Sequence, residues 1–347
     1  MSGTIHERPG VYSSYDALSV VSGSMAGKTV GVAAIAATGT PGECVLLHSF
    51  EEGRSAFGGE GNMTELLHVL YENGAGSVRA VSVGSAEGTA DYAAAFEALS
   101  VCEDVDVVVC DSTDVAVQQA LRTSVEQAAA MQRERVAVVG GGSGESVAQL
   151  IERAAALNSE RVVLLGVGGT NGAVTAAAAL AAAIAANADP SLPVHGLALL
   201  GLGAGAGRYS DAEVDSLVRG GVTPVETVGG VTSAVRAVTT RTTTGGAADS
   251  TWRELTTILI VDDVIPSIRS ALRARFARSK NTAQSRGAIR SQVVLELEEK
   301  LSREEIDSYG EVRVSAVPDD PTACLVEFSF AVAHGLTRIY LTAHITV

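Results

Sequence analysis

Short apolar runs alternate with longer segments of helical periodicity through the middle of the chain. The apolar runs lie at 105–110, 135–139, 161–165 and 194–200, and the helical segments that follow them lie at 114–131, 145–157, 172–187 and 210–219. Strands that are apolar at every position are typical of a parallel sheet with both faces covered. The pattern therefore predicts an α/β fold, a three-layer domain around a parallel sheet.

An earlier stretch offers further elements, and a later one ends the alternation. Strands are predicted at 30–36, 45–50 and 78–83, and a helix at 62–73, either in the same sheet or in a neighbouring domain. The Thr-rich run at 239–246 breaks the pattern, and we place a boundary there. The α/β domain then covers 29–245, with 29–90 left open between it and the C-terminal domain.

Residues 246–337 are predicted to form an α+β C-terminal domain. We expect a strand at 256–261, a helix at 264–278, a second helix starting at Gln292 or Ser302, and antiparallel strands at 311–316, 324–333 and 338–347. The pair Asp262-Asp263 is typical of the start of a helix. Ile265, Ile268, Leu272 and Phe276 recur as one stripe of an amphipathic helix.

Both ends of the chain have the character of extended arms. Residues 1–28 are rich in Ser and Gly, and Val11 and Tyr12 are among their few apolar anchors. Residues 338–347 alternate to the last position, with Ile339, Leu341 and Ile345 on one side and Tyr340 on the other. An ordinary edge strand is the commoner outcome, but such arms also suit strand exchange between subunits.

The charge is unevenly distributed. The chain carries a net charge of −15, yet residues 269–290 hold seven basic residues and no acid. Arg269, Arg273, Arg275 and Arg278 flank the apolar stripe, and Lys280, Arg286 and Arg290 follow. A basic surface kept against an acidic background favours a particular partner, although a merely solvated face has equal weight on helix geometry alone.

Composition narrows the possible partners and the location. A pI near 4.8 argues against a dedicated nucleic-acid binder. The Ala-dominated apolar run at 172–186 is shorter than the ~20 residues that a membrane span needs, so we expect synthesis in the cytoplasm and no membrane insertion. The four cysteines show no metal-binding or disulfide spacing, and we expect reduced, buried thiols.

One glycine motif keeps an enzymatic alternative open. Gly201 and Gly203 open a GxGxxA sequence after a predicted strand, and Glu226 lies where a ribose-binding acid would be. Against this, Ser210 and Glu213 form a capping box that starts the next helix well after the glycines. The histidines form no catalytic constellation, so we expect no enzyme and no cofactor, with a nucleotide-binding enzyme as the alternative.

A series of short motifs then resembles contractile tail sheath proteins of phages and phage-like particles. In chain order they are ERPGVY (7–12), ATGTPG (37–42), FGG (57–59), VRAVTT (235–240), RELT (253–256) and DDVIPSIR (262–269). The final third of the chain resembles that family most closely. Each motif is short, and the specificity lies in the series.

The resemblance implies a structural protein. Sheath subunits form a helical homo-oligomer of stacked rings around a tail tube protein, linked by their arms, and contraction of this sleeve drives the tube. The middle portion would resemble subtilisin in fold without its catalytic residues. The C-terminal domain would face the tube through Arg269, Arg273, Arg275, Arg278 and Lys280. Baseplate and tail-terminator proteins are further implied partners, in a virion or particle tail assembled in the host cytoplasm.

Overall fold

A computed structural model describes residues 28–83, 88–168, 172–202, 206–318 and 320–336. Its largest element is an eight-stranded sheet with the strand order β2-β3-β1-β4-β5-β6-β7-β8. The strands are β1 (Thr29–Ala34), β2 (Cys44–Leu47), β3 (Val78–Ser82), β4 (Val105–Cys110), β5 (Val136–Gly140), β6 (Val162–Val167), β7 (Val222–Val228) and β8 (Val231–Ala234). The six inner strands run parallel, and β2 and β8 pair antiparallel at the two edges.

Helices connect these strands and cover both faces of the sheet. They are α1 (Phe50–Phe57), α2 (Asn62–Glu72), α3 (Thr89–Ser100), α4 (Val115–Ala130), α5 (Val147–Leu157), α6 (Ala173–Ala186) and α7 (Asp211–Arg219). Along β5, Val136 and Val138 pack with α2 and α6, whereas Ala137 and Val139 pack on the opposite face with α3, α4, α5 and α7. The same alternation runs along β4 from Val107 onward and along β6. It establishes the predicted three layers and explains why these strands are apolar at nearly every position.

Close packing at the centre depends on a glycine. Gly140 ends β5 where the first turn of α6 crosses it, and a Cβ placed there would lie 2.5 Å from the carbonyl carbon of Ala173. The Ala-rich helix α6 is buried along most of its length. Small side chains on α6 and the missing one at Gly140 allow the helix to approach the sheet closely.

The sequence left residues 29–90 open, and their strands join the main sheet. β1 is an inner strand of this sheet and pairs with β3 on one side and with β4 on the other. The predicted strand at 194–200 is wrong: this segment only borders β8, through hydrogen bonds from Gly196 N to Ala234 O and from Leu199 N to Thr232 O. These two hydrogen bonds do not form the regular ladder of a pair of β-strands. The strand next to β6 is instead β7.

Two long helices dominate the C-terminal region. They are α8 (Leu255–Phe276) and α9 (Ala283–Ser302), and short strand pairs precede and follow them: β9 (Thr243–Thr244) with β10 (Ala247–Ala248), β11 (Ile306–Tyr309) with β14 (Phe330–Val332), and β12 (Arg313–Val317) with β13 (Asp320–Glu327). α9 starts earlier than predicted, at Ala283, and the side chain of the preceding Thr282 accepts a hydrogen bond from Ser285 N and caps the helix.

The predicted strand at 256–261 is wrong, because these residues form the first turns of α8. Ile258 and Leu259 pack into the core of the α/β region, and the next residue, Ile260, packs into a separate core with α9. A helix wedged between two cores is apolar on several sides. A short apolar run of this kind cannot be distinguished from a buried strand by its pattern alone.

Candidate partner interface on the C-terminal helices

The position of the basic segment follows from the anchoring of α8. Ile260, Val264, Ile268 and Leu272 line one face of the helix and pack against Val293 and Leu297 of α9. The stripe differs from the predicted one, since Val264 takes the place of Ile265 and Phe276 lies only half-buried at the helix end. The last turns of α8 therefore extend beyond the core.

A buried ion pair fixes the middle of α8 to the α/β region. The guanidinium of Arg161, next to β6, contacts both carboxylate oxygens of Asp262, at 2.7 and 2.9 Å, and the two side chains are 11% and 12% exposed. Burial alone would lower the pKa of Arg161, but the hydrogen bonds and charge of Asp262 raise it. Asp263 pairs on another side with the buried Lys300 of α9. The pair Asp262-Asp263 lies within α8 and does not start it, which corrects the sequence interpretation.

Two of the five predicted interface residues turn toward the α/β region. Arg269 contacts Glu134, in the turn before β5, at 2.7 and 3.2 Å. Burial would raise the pKa of Glu134, but the hydrogen bonds and charge of Arg269 lower it below its usual value. Arg273 donates to the amide oxygen of Gln132 at 3.3 Å. These two side chains are already engaged within the chain.

The other three predicted residues lie further along and differ in their contacts. Arg275 donates to Gln292 of α9. Arg278 and Lys280 are exposed, and neither side chain forms a hydrogen bond or ion pair with the residues that the structure describes. We call Arg275, Arg278 and Lys280 the basic tip of α8. It presents positive charge to solvent with no carboxylate paired to it in the described chain.

The remaining basic residues of the segment serve local structure. Arg286 donates to the side chain of Asn281 at 2.9 Å, and Arg290 donates to the Val312 carbonyl at the same distance. Both contacts tie α9 to its flanking turns. The sequence thus located a basic segment correctly, but it could not show that its members divide between internal contacts and the exposed tip. Glu134 and Gln132 lie about 140 positions away from the arginines that they contact, and no local sequence signal marks them as partners.

The predicted arms fall outside the described residues. This applies to Val11 and Tyr12 at the N-terminal end and to Ile339, Tyr340, Leu341 and Ile345 at the C-terminal end. The described chain stops at the exposed Leu336.

The glycine motif lacks the setting that dinucleotide binding needs. Gly201 follows irregular backbone instead of a strand, and a Cβ at Gly201 would meet the carboxylate of Glu72 at 2.6 Å; Gly203 lies outside the described residues. The capping box of Ser210 and Glu213 is present and starts α7. Glu226 is buried and accepts a hydrogen bond from the Tyr209 amide at 2.8 Å, so its carboxylate is used internally.

A cavity of about 290 Å³ lies at the carboxyl ends of β4, β5 and β6. Asp111 on its wall accepts hydrogen bonds from Tyr92 Oη at 2.5 Å, Asn62 Nδ2 at 2.8 Å and Ile35 N at 3.1 Å. This carboxylate therefore holds the neighbouring strand ends together. Over the described residues, no cluster of three His, Cys, Asp or Glu side chains is arranged to hold a metal ion. The helices described here include none with the length and apolarity to cross a membrane.

Known structures share this fold along nearly the whole chain. A chain of the anti-feeding prophage baseplate superposes with a TM-score of 0.73 at 14% identity, over 99% of this chain and 100% of that one. A chain of the contracted helical sheath of the same particle gives 0.70 at 14% identity, over 98% and 99%. A sheath tail protein of Desulfitobacterium hafniense gives 0.70 at 11% identity, over 93% and 100%. At these identities the likeness establishes the fold.

Sequence comparisons point the same way. The tail sheath protein of Bacillus phage SP01 is 29% identical over 134 residues, which is 39% of this chain and 23% of that much longer protein. The phage tail sheath protein central domain matches residues 86–240, and the phage tail sheath C-terminal domain matches residues 247–346. Because these two successive domains match in chain order and together cover most of the sequence, the chain belongs to the phage tail sheath protein family.

Proposed function

We propose that this protein is the structural subunit of a contractile tail sheath, which polymerises as a helical sleeve around a tail tube and contracts to drive the tube through a target envelope. The observation that carries the proposal is the match of both sheath domains, in order, on a fold shared with a chain of a contracted helical sheath. The glycine motif gives no comparable support to a nucleotide-binding enzyme. We propose no catalytic role and no cofactor.

The basic tip of α8 is proposed to face the tube. Arg278 and Lys280 are exposed without partners in the described chain, and Arg275 is next to them on α9's side of the helix. Exposed ion pairs are worth only ~0–1 kcal/mol each and weaken with salt. Contacts of this strength can hold many subunits on a tube collectively and still separate when the sleeve contracts. Arg269 and Arg273 would contribute to this surface only by leaving Glu134 and Gln132.

The arms are proposed to connect subunits. Residues 1–28 and 338–347 would add strands to the sheets of neighbouring copies, where the hydrogen bonds of the backbone act together. These backbone contacts between subunits would persist when the sleeve contracts and the exposed ion pairs with the tube separate. The division into an α/β domain at 29–245 and a C-terminal domain at 246–337 is supported by the gap between the two family matches at 241–246.

The remaining partners follow from the same proposal. Baseplate and tail-terminator proteins would bound the sleeve at its two ends, and the likeness to a chain of the anti-feeding prophage baseplate supports the first of these. The subunit would be assembled in the host cytoplasm and would reside in a virion or particle tail. The subtilisin-like, non-catalytic fold of the α/β domain stays a prediction.

Charge reversal at the basic tip tests the tube contact. Arg278→Glu with Lys280→Glu should abolish co-sedimentation with purified tail tubes and leave sheath-only polymers intact, since the arms are unchanged. Arg208→Glu is the matched control, because Arg208 is exposed on the α/β region and has no partner among the described residues. Normal decoration of tubes by the double variant would overturn the tube-facing assignment.

A further inference from the structure

Two cysteines that are far apart in sequence meet at one edge of the main sheet. The Sγ atoms of Cys44 and Cys102 lie 3.4 Å apart, although 58 positions separate the two residues. Cys44 begins β2, the last strand of the sheet on that side, and Cys102 lies in the turn between α3 and β4. Both side chains are partly exposed. We propose that Cys44 and Cys102 form an oxidation site, at which a small-molecule disulfide converts the two thiols into an intramolecular disulfide.

The two sulfur atoms are already close to bonding distance. A disulfide requires the sulfur atoms to approach to about 2.05 Å, which is a movement of little more than 1 Å from their present positions. The Cys102 carbonyl is held by Arg135 Nη2 at 2.8 Å, so the turn is already anchored beside β2. Cys44 lies opposite Val81 on β3, and β2 has no strand beyond it in the described sheet. The edge strand can therefore shift toward a fixed turn.

The local charges favour an ordered reaction. Burial and the neighbouring Cys102 raise the pKa of Cys44 to about 12, while the Arg79 guanidinium acts in the opposite direction. Cys44 is therefore a poor first nucleophile. Once Cys102 is held in a mixed disulfide, it can no longer raise the pKa of Cys44, whereas Arg79 stays in place through its ion pair with Asp104 at 3.0 Å.

The chemistry balances with oxidised glutathione as the oxidant. The Cys102 thiolate attacks one sulfur of glutathione disulfide, the S–S bond breaks, and one glutathione leaves as a thiolate that takes up the proton lost by Cys102. The Cys44 thiolate then attacks Sγ of Cys102, and the second glutathione leaves in the same way. Two protein thiols are oxidised, and one small disulfide is reduced to two thiols.

The bond would tie the edge of the sheet to the turn before β4. It would close a loop that contains β2, α1, α2, β3 and α3, and long closed loops restrict the unfolded chain most. The thiols would stay reduced in a cytoplasm and become oxidised outside a cell. That last step rests on the proposed location in a released particle, but the reaction itself does not.

Peptide mapping of the full-length protein tests the proposal. After treatment with oxidised glutathione and acid quenching, we expect a peptide pair joined through Cys44 and Cys102, loss of two of the four free thiols, and a melting temperature raised by several degrees. Cys102→Ser should keep its remaining three thiols free of an internal disulfide. Cys324→Ser, which removes a partly exposed cysteine with no cysteine beside it, should still form the bond.

Two results would overturn the proposal. One is stable glutathione adducts at Cys44 or Cys102 with no joined peptide pair, and the other is complete retention of both thiols after prolonged treatment. Because the map is read on the wild-type chain, a variant that fails to fold does not affect the conclusion. The outcome is also independent of whether the protein forms tubes, so failure here would leave the proposed function standing.

Discussion

Replacing Arg269 with alanine should destabilise the fold, whereas replacing Arg278 should not. Both arginines lie in the same basic segment, 9 positions apart, but within the described part of the chain only Arg269 has an ionic partner. Its guanidinium lies 2.7 Å from Glu134, whose side chain is 13% exposed. Removing Arg269 leaves this nearly buried carboxylate unpaired, at a cost of about 1–3 kcal/mol. Truncating the unpaired Arg278 should change stability by no more than about 0.5 kcal/mol.

The assay is equilibrium urea unfolding of the unassembled protein, followed by circular dichroism. Arg269→Ala should lower the urea midpoint without changing the slope of the transition, because the same surface is exposed on unfolding. Glu134→Ala completes a double-mutant cycle with Arg269→Ala. The double variant should lose little more stability than either single variant, because both substitutions remove the same contact. Equal midpoints for the Arg269 and Arg278 variants would refute the division of the basic segment into internal and exposed members.

Three further predictions follow from other contacts. Arg161→Ala should lower the free energy of unfolding by about 3–5 kcal/mol, because it leaves Asp262 buried without its partner. The control Arg54→Ala removes an exposed ion pair and should lower it by only ~0–1 kcal/mol, so similar urea midpoints for the two variants would contradict this prediction. Gly140→Ala should destabilise the protein by about 1–3 kcal/mol, because the added methyl group clashes with α6. Gly287 lies within α9, and a methyl group there would meet no described atom within 4 Å, so Gly287→Ala should stabilise the protein by up to about 1 kcal/mol in the same assay. Hydrogen bonds from Arg153 lower the pKa of Glu145, so the stabilisation from this pair should be complete above the unfolded-state pKa of Glu145 and be lost as pH falls through its lower folded-state pKa; a thermal-melt series in which Glu145→Gln kept the wild-type acid dependence would exclude this.

The strands β4, β5 and β6 of the central sheet could be predicted because their environment is uniform. β4, β5 and β6 are covered on both faces, so nearly every position is apolar, with Asp106 the exception, and each run stands out from the amphipathic helices around it. The start of α8 could not be predicted in this way. Ile258 and Ile260 belong to different cores, and the resulting apolar run mimics a strand.

The basic segment shows a different limit. Its composition predicted an interacting surface, and helix periodicity placed its four arginines on the flanks of the apolar stripe. Which acid or amide each arginine meets depends on how the turn at 132–134 packs against α8, and that is a long-range property. Likewise, no spacing rule could pair Cys44 with Cys102, because the contact exists only once β2 joins the sheet edge.

Electron microscopy of the purified protein, alone and with tail tubes, tests the central claim most directly. A contractile sheath subunit should form hollow tubes of stacked rings by itself and should cover added tail tubes with a regular helical layer. Image reconstruction of that layer should place the basic tip of α8 next to the tube. Discrete particles or monomers under both conditions, with bare tubes in the mixture, would contradict the account.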